Sequence, residues 1–188
     1  MTALAINPHL STTLYTAVSN GWAYSSTNGG ASWNAMKSGA PIGSNSAPVL
    51  TFAVHPVSPT VLYAGTNGRG IFRSVNNGAT WTVLTSGLPL LGSPSLSPAY
   101  YVSDLAIDPQ SPDTLYAATG AGVFRSVNGG SSWITYSAGL TDPICLCVSA
   151  VKLDPQDPSK VYAGLSGSGI FALVDLPARV YLPASRRD

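Results

Sequence analysis

At 188 residues the chain can enclose one ordinary core, and its 45% apolar content excludes a disordered chain. Only 9% of residues are charged, the acidic ones are all Asp with no Glu, and a net charge of +1 supplies no field for nucleic acid or an acidic lipid surface. No apolar run nears the ~20 residues that span a bilayer.

Four units of similar order follow one another. In the first, residues 4–8, 13–18 and 21–25 read as short strands, and 33–36 as a fourth after a Gly/Asn turn. A Gly/Pro/Ser/Asn loop over 38–48 leads to the second unit, with strands at 49–56, 60–65, 70–74 and 81–84. Its exit, 86–100, is the longest connection and ends in Tyr100-Tyr101. The third unit runs from 102 to 136. The fourth places strands at 148–155, 161–164 and 169–172, and a last strand is expected at 178–182. Each first strand ends in a turn former followed by proline: Asn7-Pro8, His55-Pro56, Asp108-Pro109 and Asp154-Pro155. His9 and His55 are read as part of these turns.

Residues 26–33 read STNGGASW, 74–81 SVNNGATW and 126–133 SVNGGSSW. The shared positions are Ser26, Asn28, Gly30 and Trp33; Ser74, Asn76, Gly78 and Trp81; Ser126, Asn128, Gly130 and Trp133. A repeat of this period means an array of small units. Each copy joins two strand-like runs, so it reads as a hairpin turn. Gly supplies positive φ, Asn closes the turn from inside, and Trp puts an apolar body under it with its N–H available for a carbonyl. The fourth unit lacks the motif, and residues 174–177 stand in its place. Cys145 and Cys147 point to one face of a strand and are too few for a zinc site. They read as two small buried apolar side chains, with a redox pair as the alternative.

This gives an all-β fold, a β-propeller-like array of about four four-stranded antiparallel blades. One domain is expected over 1–182, with repeats at about 1–48, 49–100, 101–147 and 148–182, and a flexible tail at 183–188. An arc of four blades leaves open edges. A partial propeller is therefore expected, continued by additional blades of a longer chain or completed by self-association. The opening MTALAINPHL starts inside a repeat and lacks the order of a signal peptide.

The pattern Ser-x-Asn-x-Gly-x-Ser/Thr-Trp resembles the Asp-box, or BNR repeat, of β-propellers, whose usual form is Ser-x-Asp-x-Gly-x-Thr-Trp. Asn28, Asn76 and Asn128 keep the carbonyl oxygen that closes the turn and lose the charge. The wider unit, such as 105–133, looks like the repeats of sialidases, xyloglucanases, sortilin-type receptors and photosystem II assembly factors. The resemblance covers nearly the whole chain. It implies that each first strand lines a central channel, and that the loops before strand one and between strands two and three share a ligand face. On that plan Trp22, Asn67, Arg69, Tyr100, Tyr101 and Asp104 gather on the ligand face. Asp104 corresponds to Ala3, Thr51 and Ala150 in the other units, and reads either as a carboxylate for a sugar hydroxyl or as a hydrogen-bonded Asp holding the long loop.

The resembled sialidases need an arginine cluster, a tyrosine nucleophile assisted by Glu, and an Asp acid. There is no Glu here, and Arg73 and Arg125 occupy equivalent repeat positions instead of converging with Arg69. The resembled xyloglucanases need two carboxylates across a cleft, and the only same-face partner for Asp104 is Asp142. No nucleophile signature, phosphate loop or metal-ligand cluster is present, so no catalytic residue, cofactor or metal is assigned. The expected function is a non-catalytic propeller module, a scaffold or a surface for a protein or carbohydrate ligand, in an exported bacterial protein at the cell surface or outside it. The alternative is a relative or fragment of a glycoside hydrolase with Asp104 as one carboxylate, and a third reading is an assembly factor binding a partner protein on the ligand face.

Overall fold

The structure is a computed structural model that describes residues 1–18, 22–36, 48–88, 101–140 and 147–174. Blade 1 is built from β1 (Ala3–Ile6), β2 (Leu14–Ala17), β3 (Ala23–Ser26) and β4 (Asn34–Ala35). Blade 2 comprises β5 (Val49–Val54), β6 (Leu62–Thr66), β7 (Ile71–Ser74) and β8 (Thr82–Leu84). Blade 3 comprises β9 (Val102–Ile107), β10 (Leu115–Thr119), β11 (Gly122–Ser126) and β12 (Ile134–Thr135). Blade 4 has β13 (Val148–Leu153), β14 (Lys160–Leu165) and β15 (Gly169–Val174). Every blade is an antiparallel meander in chain order. The fourth strand expected at 178–182 lies outside the described residues. Where the other blades turn at the Ser-Asn-Gly motif, β15 continues to Val174.

The first strands form the inner row. β1 packs beside β5, β5 beside β9, and β9 beside β13, while no comparable packing joins β13 to β1 among the described residues. The blades thus make an arc. Its core lies in three seams between successive sheets, because alternate residues of a strand face opposite sides. Tyr15, Ala17 and Ala23 of blade 1 meet Phe52, Leu62 and Trp81 of blade 2. Tyr63 and Ile71 of blade 2 meet Leu105, Leu115 and Trp133 of blade 3. Tyr116 and Val123 of blade 3 meet Val151, Val161 and Leu173 of blade 4. Within each adjacent Leu-Tyr pair of a second strand, therefore, Leu faces the blade before and Tyr the blade after.

The Ser-Asn-Gly turns close as their chemistry dictates. Ser26, Ser74 and Ser126 donate to the side-chain oxygens of Asn28, Asn76 and Asn128 at 2.9, 3.0 and 2.9 Å. The same serine oxygens accept the N–H groups of Gly30, Gly78 and Gly130. Each Asn oxygen also accepts the backbone N–H of Ser32, Thr80 or Ser132, and each Asn Nδ2 donates to that residue's hydroxyl. An aspartate could not make that last donation. Gly78 is needed for two reasons: its φ is +82°, and a Cβ there would collide with Met36 Cε.

The tryptophans differ, and this corrects the expectation that each is packed under its turn. Trp133 is 3% and Trp81 9% exposed, but Trp33 is 39% exposed. The cause is the blade before. Leu84, at the end of β8, lies over the turn that Trp133 supports, and Met36 does the same for Trp81. Nothing described precedes blade 1 to cover Trp33. The expected N–H bond to a carbonyl forms at Trp81, which donates to Gly78 O at 3.0 Å, but Trp133 Nε1 has no partner among the described residues.

Urea unfolding of Trp133→Ala should show a loss of about 3–5 kcal/mol, the range for a large buried aromatic. Trp33→Ala should cost less than about half of that, because much of its ring already faces water. Equal losses would place the cover over Trp33 that the arc lacks.

Candidate functional site

The ligand-face loops meet at the blade 2–blade 3 seam. Asn67, just after β6, pairs through its backbone with Tyr101, just before β9. Its N–H also donates to Pro48 O at 2.9 Å. Thr66 Oγ1 donates to Gly70 O and accepts the Arg69 N–H, which shapes the loop that carries Arg69. Asn67, Arg69 and Tyr101 are exposed there. Trp22, also exposed, stands on the corresponding loop of blade 1, where its carbonyl accepts the Val18 N–H. Tyr100 and Asp142 lie outside the described residues.

Asp104 lies deeper, on the inner strand β9, and its bonds run sideways. The inner strands of blades 2, 3 and 4 each carry an irregularity near their start, opposite β6, β10 and β14. Just past it, Asp104 Oδ1 accepts the Thr51 hydroxyl at 3.2 Å and the Leu105 N–H at 3.0 Å. Oδ2 accepts the Val151 N–H at 3.1 Å and the Lys152 ammonium at 2.7 Å. The Asp104 side chain is nearly buried while that of Lys152 is largely exposed. One carboxylate thus bonds blades 2, 3 and 4 together. The hydrogen-bonded reading of Asp104 holds in kind, and its partners among the described residues lie on the inner strands. Hydroxyls make parallel links: Thr2 Oγ1 donates to Val49 O, and Ser103 Oγ to Val148 O at 2.6 Å.

The other end of the blades carries the proline turns. Oδ1 of Asn7, Asp108 and Asp154 each accepts two backbone N–H groups of its turn. At the fourth such turn His55 Nδ1 does the same, accepting Val57 and Ser58 N–H at 3.2 and 2.9 Å. Burial lowers the His55 pKa, Asp113 pulls it back up, and Arg73 adds to the lowering. His9 Nε2 donates to Pro56 O at 2.6 Å, tying two turns together. Burial raises the Tyr15 and Tyr63 pKa values, as expected for seam hydroxyls. Arg73 lies over the Tyr63 ring at 5.9 Å, and Arg125 over Tyr116 and Tyr136 at 5.8 and 5.5 Å. These arginines serve seams and do not converge with Arg69. Among the described residues no group of three or more His, Cys, Asp or Glu side chains could hold a metal.

Cys147 is disulfide-bonded, which corrects the reading of two small buried apolar side chains. The only other cysteine in the chain is Cys145, which lies outside the described residues. The sequence reading also missed Lys152 and the seam tyrosines. The tyrosines left a signal, a Leu-Tyr or Val-Tyr pair at 14–15, 62–63, 115–116 and 161–162. Lys152 left none beyond breaking an alanine series, Ala5, Ala53 and Ala106.

No family model and no curated protein matches the chain. Solved structures do. An ancestral GH74 enzyme shares 23% identity at a TM-score of 0.69, covering 86% of this chain and 21% of that one. The extracellular domain of a hybrid two-component system protein from B. thetaiotaomicron shares 15% at 0.69, covering 99% and 22%. A structure of YCF48 bound to a D1 peptide shares 12% at 0.60, covering 96% and 53%. The chain is an arc of β-propeller blades. It spans about a fifth of the first two proteins and about half of the third.

Asp104→Ala should cost about 1–3 kcal/mol in urea unfolding, because the Leu105 and Val151 N–H groups lose a buried acceptor. Lys152→Met should cost less than about 1 kcal/mol, since its ammonium is mostly in water. A larger loss at Lys152 would make the ion pair, not the backbone bonds, the main term.

The His55 sign is fixed by geometry. Protonation removes the Nδ1 lone pair that both N–H groups use, so the folded state disfavours the proton. The contribution of His55 is present above its ordinary pKa of 6.5 and is lost as pH falls through the lowered folded value. Unfolding midpoints should fall as pH drops below 6.5 in the wild type. The fall should be smaller in His55→Asp, which copies the turns at Asp108 and Asp154.

Proposed function

We propose that this chain is a non-catalytic propeller module of the Asp-box (BNR) kind, built of repeats at about 1–48, 49–100, 101–147 and 148–182 with a tail at 183–188. Its ligand face binds a protein segment or a glycan outside the cell. The observation that carries the reading is Asp104. Among the described residues, the carboxylate on an inner strand that could serve chemistry near the channel is held by Thr51, Leu105, Val151 and Lys152. A general acid or nucleophile needs an oxygen free to reach substrate.

Support for binding comes from the face itself. Tyr101 and Trp22 supply amphipathic rings, and Asn67 and Arg69 supply donors beside them, the residue types that dominate recognition surfaces. YCF48, a propeller neighbour, is known bound to a peptide, which favours an extended protein segment as ligand. The disulfide at Cys147 fits an oxidising compartment, and an extracellular domain stands among the structural neighbours. The second reading, a part of a glycoside hydrolase with Asp104 as one carboxylate, draws on the GH74 neighbour.

Incubation with xyloglucan and with sialyl-lactose should release no product, from the wild type and from Asp104→Asn alike. Product release that Asp104→Asn abolishes would establish the hydrolase reading instead. On peptide and glycan arrays, ligands of the wild type should lose about tenfold or more in affinity with Tyr101→Ala and with Arg69→Ala. Undiminished binding by both variants would move the site off this face.

A further inference from the structure

Blades 2 and 3 show what the two faces of a blade carry once both are covered. The leading face, toward the blade before, carries Phe52, Val54 and Trp81 in blade 2 and Leu105, Ile107 and Trp133 in blade 3. The trailing face, toward the blade after, carries Tyr63 and Ile71 in blade 2 and Tyr116 and Val123 in blade 3. Blade 1 presents the leading set again as Leu4, Ile6 and Trp33, at 51%, 55% and 39% exposure. Blade 4 presents the trailing set again as Tyr162 and Ile170. Ile170 is 63% exposed, where Ile71 and Val123 are both at 0%. Apolar side chains thus face water at both ends of the arc, Leu4, Ile6 and Trp33 at one and Ile170 at the other, and such exposure marks an interface.

The seams also carry a directional polar bond. Tyr15 OH donates to Asn77 Oδ1 at 3.3 Å, and Tyr63 OH to Gly129 O at 3.2 Å. Asn77 and Gly129 occupy the same place in the turn, with φ of 56° and 64°. The counterpart in blade 1 is Gly29, at φ 68°. The counterpart tyrosine in blade 4 is Tyr162. The charge on the inner strand of that trailing face, Lys152, is bonded back to Asp104 of blade 3. An acceptor turn at one end of the arc thus matches a donor tyrosine at the other.

We propose that the trailing face of blade 4 in one copy of this chain docks on the leading face of blade 1 in a second copy. The contact repeats the chain's own seams, with Tyr162 directed at the Gly29 turn and Ile170 set against Leu4, Ile6 and Trp33. The interface is head-to-tail, so it must close into a ring or extend. Two arcs joined at both ends make a ring of eight blades, within the usual range of about four to eight. The inference is independent of the ligand-face reading.

Light scattering across a range of concentrations should give twice the chain mass of 19.3 kDa. A monomer at every concentration would mean that other blades or another protein cover these faces, and would overturn the proposal. Species larger than a dimer would overturn it equally. Ile6→Glu and Ile170→Glu change side chains that are exposed in the single chain, so an unchanged unfolding midpoint in dilute solution confirms the fold. Each variant alone should be monomeric. An equimolar mixture should recover a dimer, because one junction then has both native faces. A dimer retained by Ile170→Glu alone would show blade 1 pairing with blade 1 and would overturn the head-to-tail geometry. Tyr162→Phe removes one hydrogen bond at each of the two junctions and should weaken the dimer by up to about a hundredfold.

Discussion

A serine hydroxyl caught between an asparagine oxygen and a glycine N–H fixes the turn at the end of three third strands. Much else depends on it. The turn sets where the following tryptophan enters, and Trp81 and Trp133 then fill the seam with the blade before. The turn's left-handed residue accepts a tyrosine hydroxyl from that same neighbour, through the Asn77 side-chain oxygen in one blade and the Gly129 carbonyl in the next. A local hydrogen-bond pattern is thereby converted into blade-to-blade packing. Blade 4, which lacks the motif, shows the reverse case. Its third strand runs on to Val174. On the blade 3 side of that seam Tyr136 packs edge-on to Tyr116 at 5.3 Å, beneath Arg125.

Asp104 shows why position alone does not make a carboxylate functional. It sits on an inner strand near the mouth of the arc, where a propeller's ligand could reach. Yet its two oxygens accept four bonds from three blades. A group so engaged is costly to redirect, because any ligand must first displace a cation and two backbone donors. Tyr101 and Trp22, by contrast, are exposed. The inner row holds the blades together, and the loops carrying Asn67, Arg69 and Tyr101 are exposed.

The sequence displayed what is settled over a few residues. Ser26, Asn28 and Gly30, and their counterparts, close their turns through bonds spanning two to four positions, so spacing alone revealed them. The proline turns were legible for the same reason, down to His55 standing in for Asp. What escaped depends on neighbours far along the chain. Asp104 and Lys152 are 48 residues apart, and nothing local to either predicts the pair. Trp33 obeys the same motif as Trp133, and what distinguishes them is the cover that Leu84 of the blade before gives the Trp133 turn. Cys147 read first as a small buried apolar side chain, with a redox pair as the alternative, because hydropathy does not report oxidation state.

Each leading face is completed by the blade before it, and each trailing face by the blade after. The cooperative unit is consequently not a sheet but a junction, running from a tyrosine in one second strand to the turn of the next meander. Blades that touch only their neighbours behave as a linear lattice with nearest-neighbour coupling. A segment copied from one Leu-Tyr pair to the next keeps its turn and tryptophan in phase with the array, so the new unit can form a junction with each neighbour. The spacing of 48 and 52 residues between successive tryptophans shows where slack is tolerated. It lies in the loops, not in the distance from serine to tryptophan, which is the same in every copy.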